Sequence, residues 1–338
     1  MSPGIRPVSL RDGIKRHIFA AKAARLSPRT VESKEETLGR FVSYAEDHEW
    51  PDFHEIKQHH IEEYIAWFGD RIRWDGLRGR ANPKVVSSSH VETTYRRLHA
   101  FWEWAFKDGL IAFQPMARMK RPTFTQRIVK DISPEQIQNL RAITDYKNPK
   151  VAPTELMRFR VLRNRAALEL SIDSCTRLSE ITGIEVGDVR ISNVIDIRVL
   201  GKGDKERWVP LNLDPGLTLL EYMNAREKYV QPGVNALWVS TQDRKGLPLD
   251  KSWLQRVVNK LGEAIGMERL HHHMFRHRFA LDWIRSGQNE RLLMALGGWS
   301  HKIPETYLRQ IDIEDAASIH RGGIGNIRKH IPYKPSRI

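Results

Sequence analysis

The chain contains a single cysteine, Cys175, among its 338 residues. One cysteine excludes an internal disulfide framework, and it excludes a zinc site built from several thiolates. Long apolar runs are also lacking, because none approaches the roughly 18 residues that span a bilayer. No apolar segment follows the basic N-terminus, as it does in a secretory signal. We therefore expect a soluble, cytoplasmic protein without membrane contact.

Acidic residues are scarce beside basic ones, with 41 Asp and Glu against 55 Lys and Arg, a net charge of +14. Residues 1–130 hold 23 basic and 16 acidic side chains, and the rest of the chain holds the other 32 and 25, so each part carries +7. This balance favours a polyanionic partner that both parts contact. The alternative is an enzyme that is basic without such a partner.

The first part of the chain carries helical signals. Ser27 is a predicted N-cap, with Pro28 at the first helical position. Ser89 and Glu92 form a predicted capping box, and Gly109 is a natural helix end. The aromatic run FWEWAF, residues 101–106, is predicted to be core in preference to a surface on which bases stack.

Two segments concentrate positive charge. "RIRWDGLRGRANPK", residues 71–84, has five basic residues and one acid, and its glycines and proline predict a loop. "RMKRPTFTQRIVK", residues 118–130, has five basic residues and no acid, and it predicts an extended interdomain linker. Such a linker is either solvated or lies along a phosphate backbone, and the lack of acid favours the second.

The second part begins with a predicted capping box, Ser133 to Gln136, with Pro134 at the first position. "VIDIRVLGKGDKERWVPLN" alternates apolar residues on both sides of residues 201–204, which predicts a β-hairpin or short antiparallel sheet. The predicted fold is mainly α: a helical domain at 1–117, a basic linker at 118–131, and an α-rich domain at 132–338 with a small antiparallel β-sheet.

Four segments of the second part place polar groups in apolar surroundings. Arg177 follows a helix in "LELSIDSCTRLSEITGIEVGDV", and Glu180 lies three residues on, where it can orient the guanidinium. By itself, this pair fits a surface ion pair better. Lys202 lies between two glycines at the tip of the predicted hairpin, where a long cationic side chain can reach into a groove.

The histidine-rich segment "LHHHMFRHRFA" puts His273 and Arg276 one turn apart on a helix face. His273 and His277 have the spacing of two metal ligands, but the glutamate of a zinc hydrolase helix is missing between them, so a metal site is disfavoured. The fourth segment, "LGGWSHKIPETYLRQ", carries Trp299 and Tyr307.

In chain order these side chains give Arg, Lys, His-x-x-Arg, Trp and Tyr, and this order resembles the tyrosine recombinase (phage integrase) family, in its Xer-like form. "CTRLSEITGIEVGDV", "GKGDKERWVPL", "HMFRHRFA" and "LGGWS…ETY" resemble its catalytic boxes. "SPRTVESKEETLGRFVSYAE" and "YRRLHAFWEWAFKDGLIAFQPMARMKRP" resemble its helical core-binding domain. The likeness spans roughly residues 14–312.

The resemblance implies a catalytic role for each boxed residue. Tyr307 would attack a DNA phosphodiester and form a 3′-phosphotyrosyl link, while Arg177 and Arg276 bind the phosphate. Lys202 would protonate the 5′-oxygen leaving group, and His273 would act as acid, base or donor. Trp299 would offer its indole N–H. No metal and no cofactor is implied.

One spacing departs from the family pattern. Trp299 lies eight residues before Tyr307, one fewer than is usual in the family. His301 and Gly298 therefore compete for its position in the last box. Tyr307 itself is favoured over Tyr333, which lies in a proline-flanked tail.

Further residues are expected around this centre. Glu180 and His277 are predicted to support the catalytic side chains from behind. The basic residues expected to contact DNA are Arg71, Arg73, Arg78, Arg80, Lys84, Arg96, Arg97, Arg118, Lys120, Arg121, Arg127, Lys205 and Arg207.

The resemblance also implies partners: a double-stranded DNA recombination site, further copies of the chain in a tetramer, and an accessory recombinase or directionality factor, all at the nucleoid. The C-terminal segment is expected to dock on a neighbour or on its own domain. Two alternatives are a type IB topoisomerase-like enzyme that relaxes strands and a DNA-binding protein that has lost catalysis. A metal-dependent transposase would need converging carboxylates, whereas these side chains are cationic.

Overall fold

The computed structural model of the protein describes residues 8–73, 84–123, 131–201, 203, 205–242, 244–300 and 302–303. The chain divides into two compact units, Met1–Arg127 and Ile128–Ile338. The described residues are mainly helical with a small antiparallel sheet, which confirms the predicted fold class. The core-binding and catalytic roles of the two domains stay predictions.

The first unit is built from helices, with one pair of two-residue strands. Its elements are α1 (Leu10–Ala23), α2 (Pro28–Asp47), a 3-10 turn (Phe53–Glu55), α3 (Gln58–Asp70), β1 (Ile72–Arg73), β2 (Lys84–Val85) and α4 (Ser88–Lys107).

Aromatic side chains form the core of this unit. Phe41, Tyr64, Phe101 and Trp102 are fully buried, and the ring centroids of Phe41 and Tyr64 lie 5.0 Å apart in an edge-on arrangement. Edge-on ring pairs stabilise beyond their buried area. The core role predicted for the start of the FWEWAF run is therefore confirmed, although Phe106 at its end is exposed.

Two predicted features of this unit differ from the structure. The capping box is wrong, because α4 begins after Ser87 and the Glu92 carboxylate instead pairs with Arg96 and Arg121. The ends of the predicted loop at 71–84 are strands: Ile72 pairs with Val85 and Arg73 with Lys84. The segment therefore starts and ends in a short antiparallel pair.

The second unit packs helices around a three-stranded sheet. Its elements are α5 (Pro134–Ile143), α6 (Glu155–Asp173), α7 (Leu178–Thr182), a 3-10 turn (Val186–Asp188), β3 (Val189–Ile191), β4 (Ile195–Leu200), β5 (Glu206–Leu211), α8 (Leu213–Arg226), α9 (Trp253–Ala264), α10 (His272–Arg285) and α11 (Glu290–Gly297).

The predicted cap and hairpin are both confirmed. The Ser133 hydroxyl accepts from the Gln136 N–H at 3.1 Å, and the Gln136 side chain accepts from the Ser133 N–H at 2.9 Å. β4 pairs antiparallel with β5, and β3 adds a third strand on the other side of β4. The Gly201 N–H donates to the Lys205 carbonyl at 2.8 Å and closes the base of the hairpin.

A buried tryptophan fixes the short helix α7 against the core. The indole N–H of Trp238 donates to the Ile181 carbonyl at 2.7 Å, and its ring stacks on Tyr222 at 5.2 Å. Both side chains are almost fully buried. Since five residues cannot form a stable helix alone, this contact holds α7 and Arg177, which precedes it, in place.

A glycine determines how α9 leads into α10. A Cβ on Gly262 would lie 2.6 Å from the Leu270 Cβ and 2.6 Å from the Met267 carbonyl oxygen. The chain therefore folds back on Gly262 more closely than any side chain allows, and α10 starts two residues after Leu270. Within the described residues, no helix is both long and apolar enough to cross a membrane.

Gly262→Ala is expected to lower the free energy of unfolding by about 1–3 kcal/mol, because the added methyl group meets rigid atoms. Gly39→Ala is the control: its Cβ would meet nothing within 4 Å in α2, and it should raise stability by about 0.5–1 kcal/mol. Urea unfolding followed by tryptophan fluorescence measures both. Equal shifts in the two variants would contradict the close approach.

Candidate active site

Arg177 and Glu180 form a closed pair at the start of α7. The Arg177 backbone N–H donates to Glu180 Oε2 at 2.8 Å, and its Nη1 donates to Oε1 at 2.7 Å. The Glu180 side chain is 1% exposed and that of Arg177 is 34% exposed. The pair is therefore not the surface ion pair that its sequence alone favours. Its carboxylate is internal, while its guanidinium reaches solvent.

The charge of Glu180 is maintained by its donors. Burial opposes ionisation, yet hydrogen bonds from Arg207 and from the Arg177 backbone hold the pKa of Glu180 below its ordinary value. A buried carboxylate with several charged donors stays ionised. The Glu180 carboxylate therefore stays charged at a lower pH than an ordinary glutamate does, and while it is charged it orients Arg177.

Arg276 is buried on α10 and contacts two other segments. Its Nη1 donates to the Cys175 carbonyl at 2.6 Å, and its Nη2 donates to the Gly297 carbonyl at 2.8 Å. Cys175 has a φ of 49°, a conformation that costs energy for a residue with a side chain. This backbone conformation points the Cys175 carbonyl at Arg276. Cys175 lies two residues before Arg177. The two arginines predicted to bind phosphate are therefore neighbours in space.

The four histidines of α10 and its start have different surroundings. His273 is exposed, and His277 and His272 are buried. Partial desolvation, and then the positive charges of Arg276 and other neighbours, lower the pKa of His273. This lowering favours the neutral form of the ring at pH 7. His271 lies at the surface, where its Nδ1 contacts the Arg269 carbonyl at 3.0 Å.

The turn after α11 brings Trp299 to Arg276. The Arg276 guanidinium lies 4.3 Å from the centroid of the Trp299 ring. A Cβ on Gly297 would lie 2.5 Å from that ring, and Gly298 caps the helix at a φ of 64°. Gly297 therefore leaves space for the Trp299 ring, and Gly298 allows the left-handed backbone that ends the helix. Of the residues that competed with Trp299, Gly298 lies in this turn and offers only backbone, and His301 falls outside the described residues.

Lys202 and Tyr307 also fall outside the described residues, but their flanks border the site. A Cβ on Gly201 would lie 3.5 Å from Glu180 Oε1, which puts the hairpin base beside the Arg177 pair. Ile303, four residues before Tyr307, is buried with Cys175, Ala280 and Leu293. The structure thus brings together Arg177, Glu180, Arg276 and Trp299. The described residues contain no cluster of three or more His, Cys, Asp or Glu side chains that could hold a metal ion.

Arg207 is placed differently from what its sequence position predicts. It was expected to contact DNA, yet its side chain turns inward onto Glu180 and the Leu296 carbonyl. Strand alternation within β5 carries no signal for this contact, because its partners come from α7 and α11. Lys205, at the hairpin base, is exposed as expected for a DNA contact.

The DNA-contact candidates of the first unit have mixed surroundings. Arg71 lies over the Trp67 ring at 4.7 Å, and Arg97 donates to the Thr37 hydroxyl at 2.7 Å. Desolvation lowers the pKa of Arg97. Arg96, Arg118, Lys120 and Arg121 are exposed, although Arg96 and Arg121 both pair with Glu92. The side chains of Arg73, Arg78, Arg80, Lys84 and Arg127 lie outside the description.

Comparison with known proteins finds sequence relatives and proteins of similar fold. Residues 130–309, more than half of the chain, match the Phage integrase family. The tyrosine recombinase XerC of Actinobacillus pleuropneumoniae is 26% identical over 250 residues, 74% of this chain and 76% of the relative. The tyrosine recombinase XerD of Yersinia pestis is 27% identical over 240 residues, 70% of this chain and 75% of the relative.

Two solved structures share the fold. XerH bound to palindromic difH substrate, in a post-cleavage complex, aligns with a TM-score of 0.68 at 19% identity, over 93% of this chain and 85% of that chain. A lambda integrase tetramer bound to a Holliday junction aligns with a TM-score of 0.60 at 14% identity, over 88% of this chain and 79% of that chain.

His272 supplies a test of the buried histidine environment. Its Nε2 has no hydrogen-bond partner among the described residues, and burial lowers its pKa to about 3. Below its ordinary pKa of about 6.5, the unfolded ring binds a proton that the folded ring refuses. The folded state therefore loses stability as the pH falls from 6.5 towards 3, by up to about 1.4 kcal/mol per pH unit.

His272→Phe removes the imidazole that takes up a proton on unfolding. The free energy of unfolding should therefore depend less on pH in the variant. The measurement is urea unfolding of both proteins at several pH values between 7 and about 4.5, where the variant should gain relative to the wild type. Parallel profiles for the two proteins would show that His272 does not titrate in this way.

Proposed function

The chain belongs to the phage integrase family, and on that premise we propose that it is a site-specific tyrosine recombinase that breaks and rejoins DNA through a 3′-phosphotyrosyl intermediate on Tyr307. The observation that carries the proposal is the meeting of Arg177 and Arg276. They come from distant segments, yet Arg276 donates to the Cys175 carbonyl at 2.6 Å, beside Arg177. Two permanently charged fork-shaped donors on adjoining segments suit a phosphodiester.

The arginines stabilise the transition state. Attack on a phosphodiester builds negative charge on the non-bridging oxygens, and preorganised cations placed there lower the barrier. Arg177 reaches solvent from a turn fixed by Glu180, so it meets the phosphate without first paying the entropy of ordering its side chain. The Trp299 ring covers Arg276, and its indole N–H offers one further donor to the phosphate.

Proton transfers fall to His273 and Lys202. The lowered pKa of His273 favours a neutral ring at pH 7, able to accept the proton of the attacking Tyr307 hydroxyl or to donate to the phosphate. Lys202 gives a proton to the departing 5′-oxygen. The phosphotyrosyl bond stores the energy of the broken phosphodiester, so the 5′-hydroxyl of a second strand can restore it. The arginines supply the charge, and neither metal nor nucleotide enters the reaction.

The partner is double-stranded DNA carrying a recombination site, and the active form on DNA is a tetramer. The excess of basic residues in both parts of the chain supports contact of each with the phosphates. The tetramer is inferred from the lambda integrase tetramer on a Holliday junction, which shares this fold. We place the protein at the nucleoid, with an accessory recombinase or directionality factor as a further partner.

The two alternatives differ from this proposal in different ways. A DNA-binding protein without catalysis has no need for a buried arginine that links three segments, since phosphate contacts work from the surface. A strand-relaxing enzyme with similar chemistry is separated by its product: it changes the supercoiling of one duplex and joins no second one.

Tyr307→Phe should abolish the covalent protein–DNA adduct, because phenylalanine has no hydroxyl to attack the phosphate. The probe is a nicked suicide duplex built on the sequence that the wild-type protein selects from a random DNA pool. Denaturing gel electrophoresis detects the adduct. Tyr333→Phe is the matched control and should form it at the wild-type rate.

An adduct that persists in Tyr307→Phe would assign the nucleophile elsewhere. The wild-type reaction should also proceed in EDTA, and a strict need for added Mg²⁺ in cleavage would overturn the metal-free mechanism.

Lys202→Met should slow cleavage by about 10²- to 10⁴-fold, the range of general acid catalysis. A duplex with sulfur in place of the 5′-bridging oxygen should restore the rate, because a thiolate leaves without a proton. Single-turnover cleavage of the two duplexes measures this. Equal slowing on both duplexes would remove Lys202 from the role of acid.

A further inference from the structure

The Arg207 side chain, on β5, is only 13% exposed, and each of its nitrogens donates to another segment. Nη1 and Nη2 donate to the two carboxylate oxygens of Glu180 at 3.1 and 2.7 Å. Nε donates to the Leu296 carbonyl at 2.6 Å, in the last turn of α11. The guanidinium thus joins the lysine hairpin, the Arg177 turn and the end of α11, and little of it faces solvent.

Glu180 is consequently shared between two guanidinium groups. Its Oε1 accepts from both Arg177 and Arg207, and its Oε2 accepts from Arg207 and from the Arg177 backbone. One negative charge is set against two positive charges, so the group keeps a net positive charge. Without Arg207, the Glu180 carboxylate would lose two of the four hydrogen bonds that hold it, and it would orient Arg177 less firmly.

Two glycines show how tightly Arg207 is enclosed. A Cβ on Gly201, next to Lys202, would lie 3.3 Å from Arg207 Nη1. A Cβ on Gly298, next to Trp299, would lie 3.0 Å from the same nitrogen. Arg207 therefore occupies the space between the segments that carry Lys202 and Trp299, and both of them approach it with bare backbone.

We propose that Arg207 is a positioning residue for the recombination reaction. It does not touch DNA. Through Glu180 it fixes the orientation of Arg177, and through the Leu296 carbonyl it holds the turn of Trp299 in register with the hairpin of Lys202. This inference rests on the proposed function and names a residue through which several catalytic groups are held in relation to one another.

Such a role separates chemistry from binding. A misplacement of about 1 Å in a catalytic group can cost about 10²-fold in rate. A guanidinium that meets only protein contributes no phosphate contact, so its loss leaves the dependence of DNA affinity on salt unchanged. A DNA-contacting arginine behaves in the opposite way, because each phosphate contact contributes about 0.9 to the slope of log K against log salt.

The test compares Arg207→Met with the wild type on the suicide duplex described above. Arg207→Met keeps the length of the stem and removes the donors. We expect single-turnover adduct formation at saturating protein to fall by about 100-fold, with the DNA dissociation constant and its salt slope unchanged. Arg198→Met is the matched control: Arg198 lies on the neighbouring strand β4, is 42% exposed and pairs with Asp188 at 2.6 Å. It should retain wild-type rate and affinity.

Two further variants keep the test decisive. If Arg207→Met fails to fold by circular dichroism, Arg207→Lys retains the charge without the fork and should show the same loss of rate at unchanged affinity. The double variant Glu180→Gln/Arg207→Met should react no more slowly than the slower single variant, because both changes act on one network. Additive losses would mean that Arg207 does not act through Glu180.

The outcomes also separate this inference from the proposed function. A wild-type rate in the Arg207 variants, or a salt slope reduced by about 0.9 with unchanged rate, would overturn the positioning role and restore Arg207 as a DNA contact. A wild-type protein that forms no adduct, or an adduct that does not need Tyr307, would instead overturn the recombinase mechanism itself.

Discussion

The buried carboxylate of Glu180 is the interaction on which the site depends. Burying a charge is costly unless it is paired and fully hydrogen-bonded. Glu180 meets this condition with Arg177, Arg207 and a backbone N–H, each from a defined place in the fold. Because removal of any donor leaves a buried charge poorly compensated, the arrangement has little freedom to drift. As a result, Glu180 holds Arg177 in a fixed orientation.

The surrounding fold provides what this network needs. Trp238 holds α7 through the Ile181 carbonyl, and the close approach at Gly262 sets the start of α10. Arg276 then spans from α10 to the Cys175 carbonyl, whose left-handed backbone turns it inward. Energy is stored in that one backbone conformation, as is common where geometry serves function. The second unit thus acts as a scaffold that aligns the donors proposed to bind a phosphate.

Local signals predicted local structure well. The caps at Ser27 and Ser133, the hairpin of β4 and β5 and the buried aromatic run all follow from residues close together in the chain. The errors have one physical origin. Ser89 and Glu92 have the spacing of a capping box, but Arg96 and Arg121 offer the carboxylate a stronger, charged partner, and the helix starts earlier. Likewise, Arg207 follows a basic hairpin and fits a DNA contact until α7 and α11 supply acceptors for it.

By itself, the sequence determined the fold class, the order of the boxed side chains and their chemical types, because helix caps, strand alternation and residue identity are properties of neighbouring residues. It also determined the positive charge that favours a DNA partner. Only the tertiary structure decided which charged side chains are paired in the interior and which face solvent. It made Glu180 an interior group, left Arg177 reaching solvent, buried His272 and placed Arg207 between two glycines. Burial and pairing depend on segments far apart in the chain, and no local pattern encodes them.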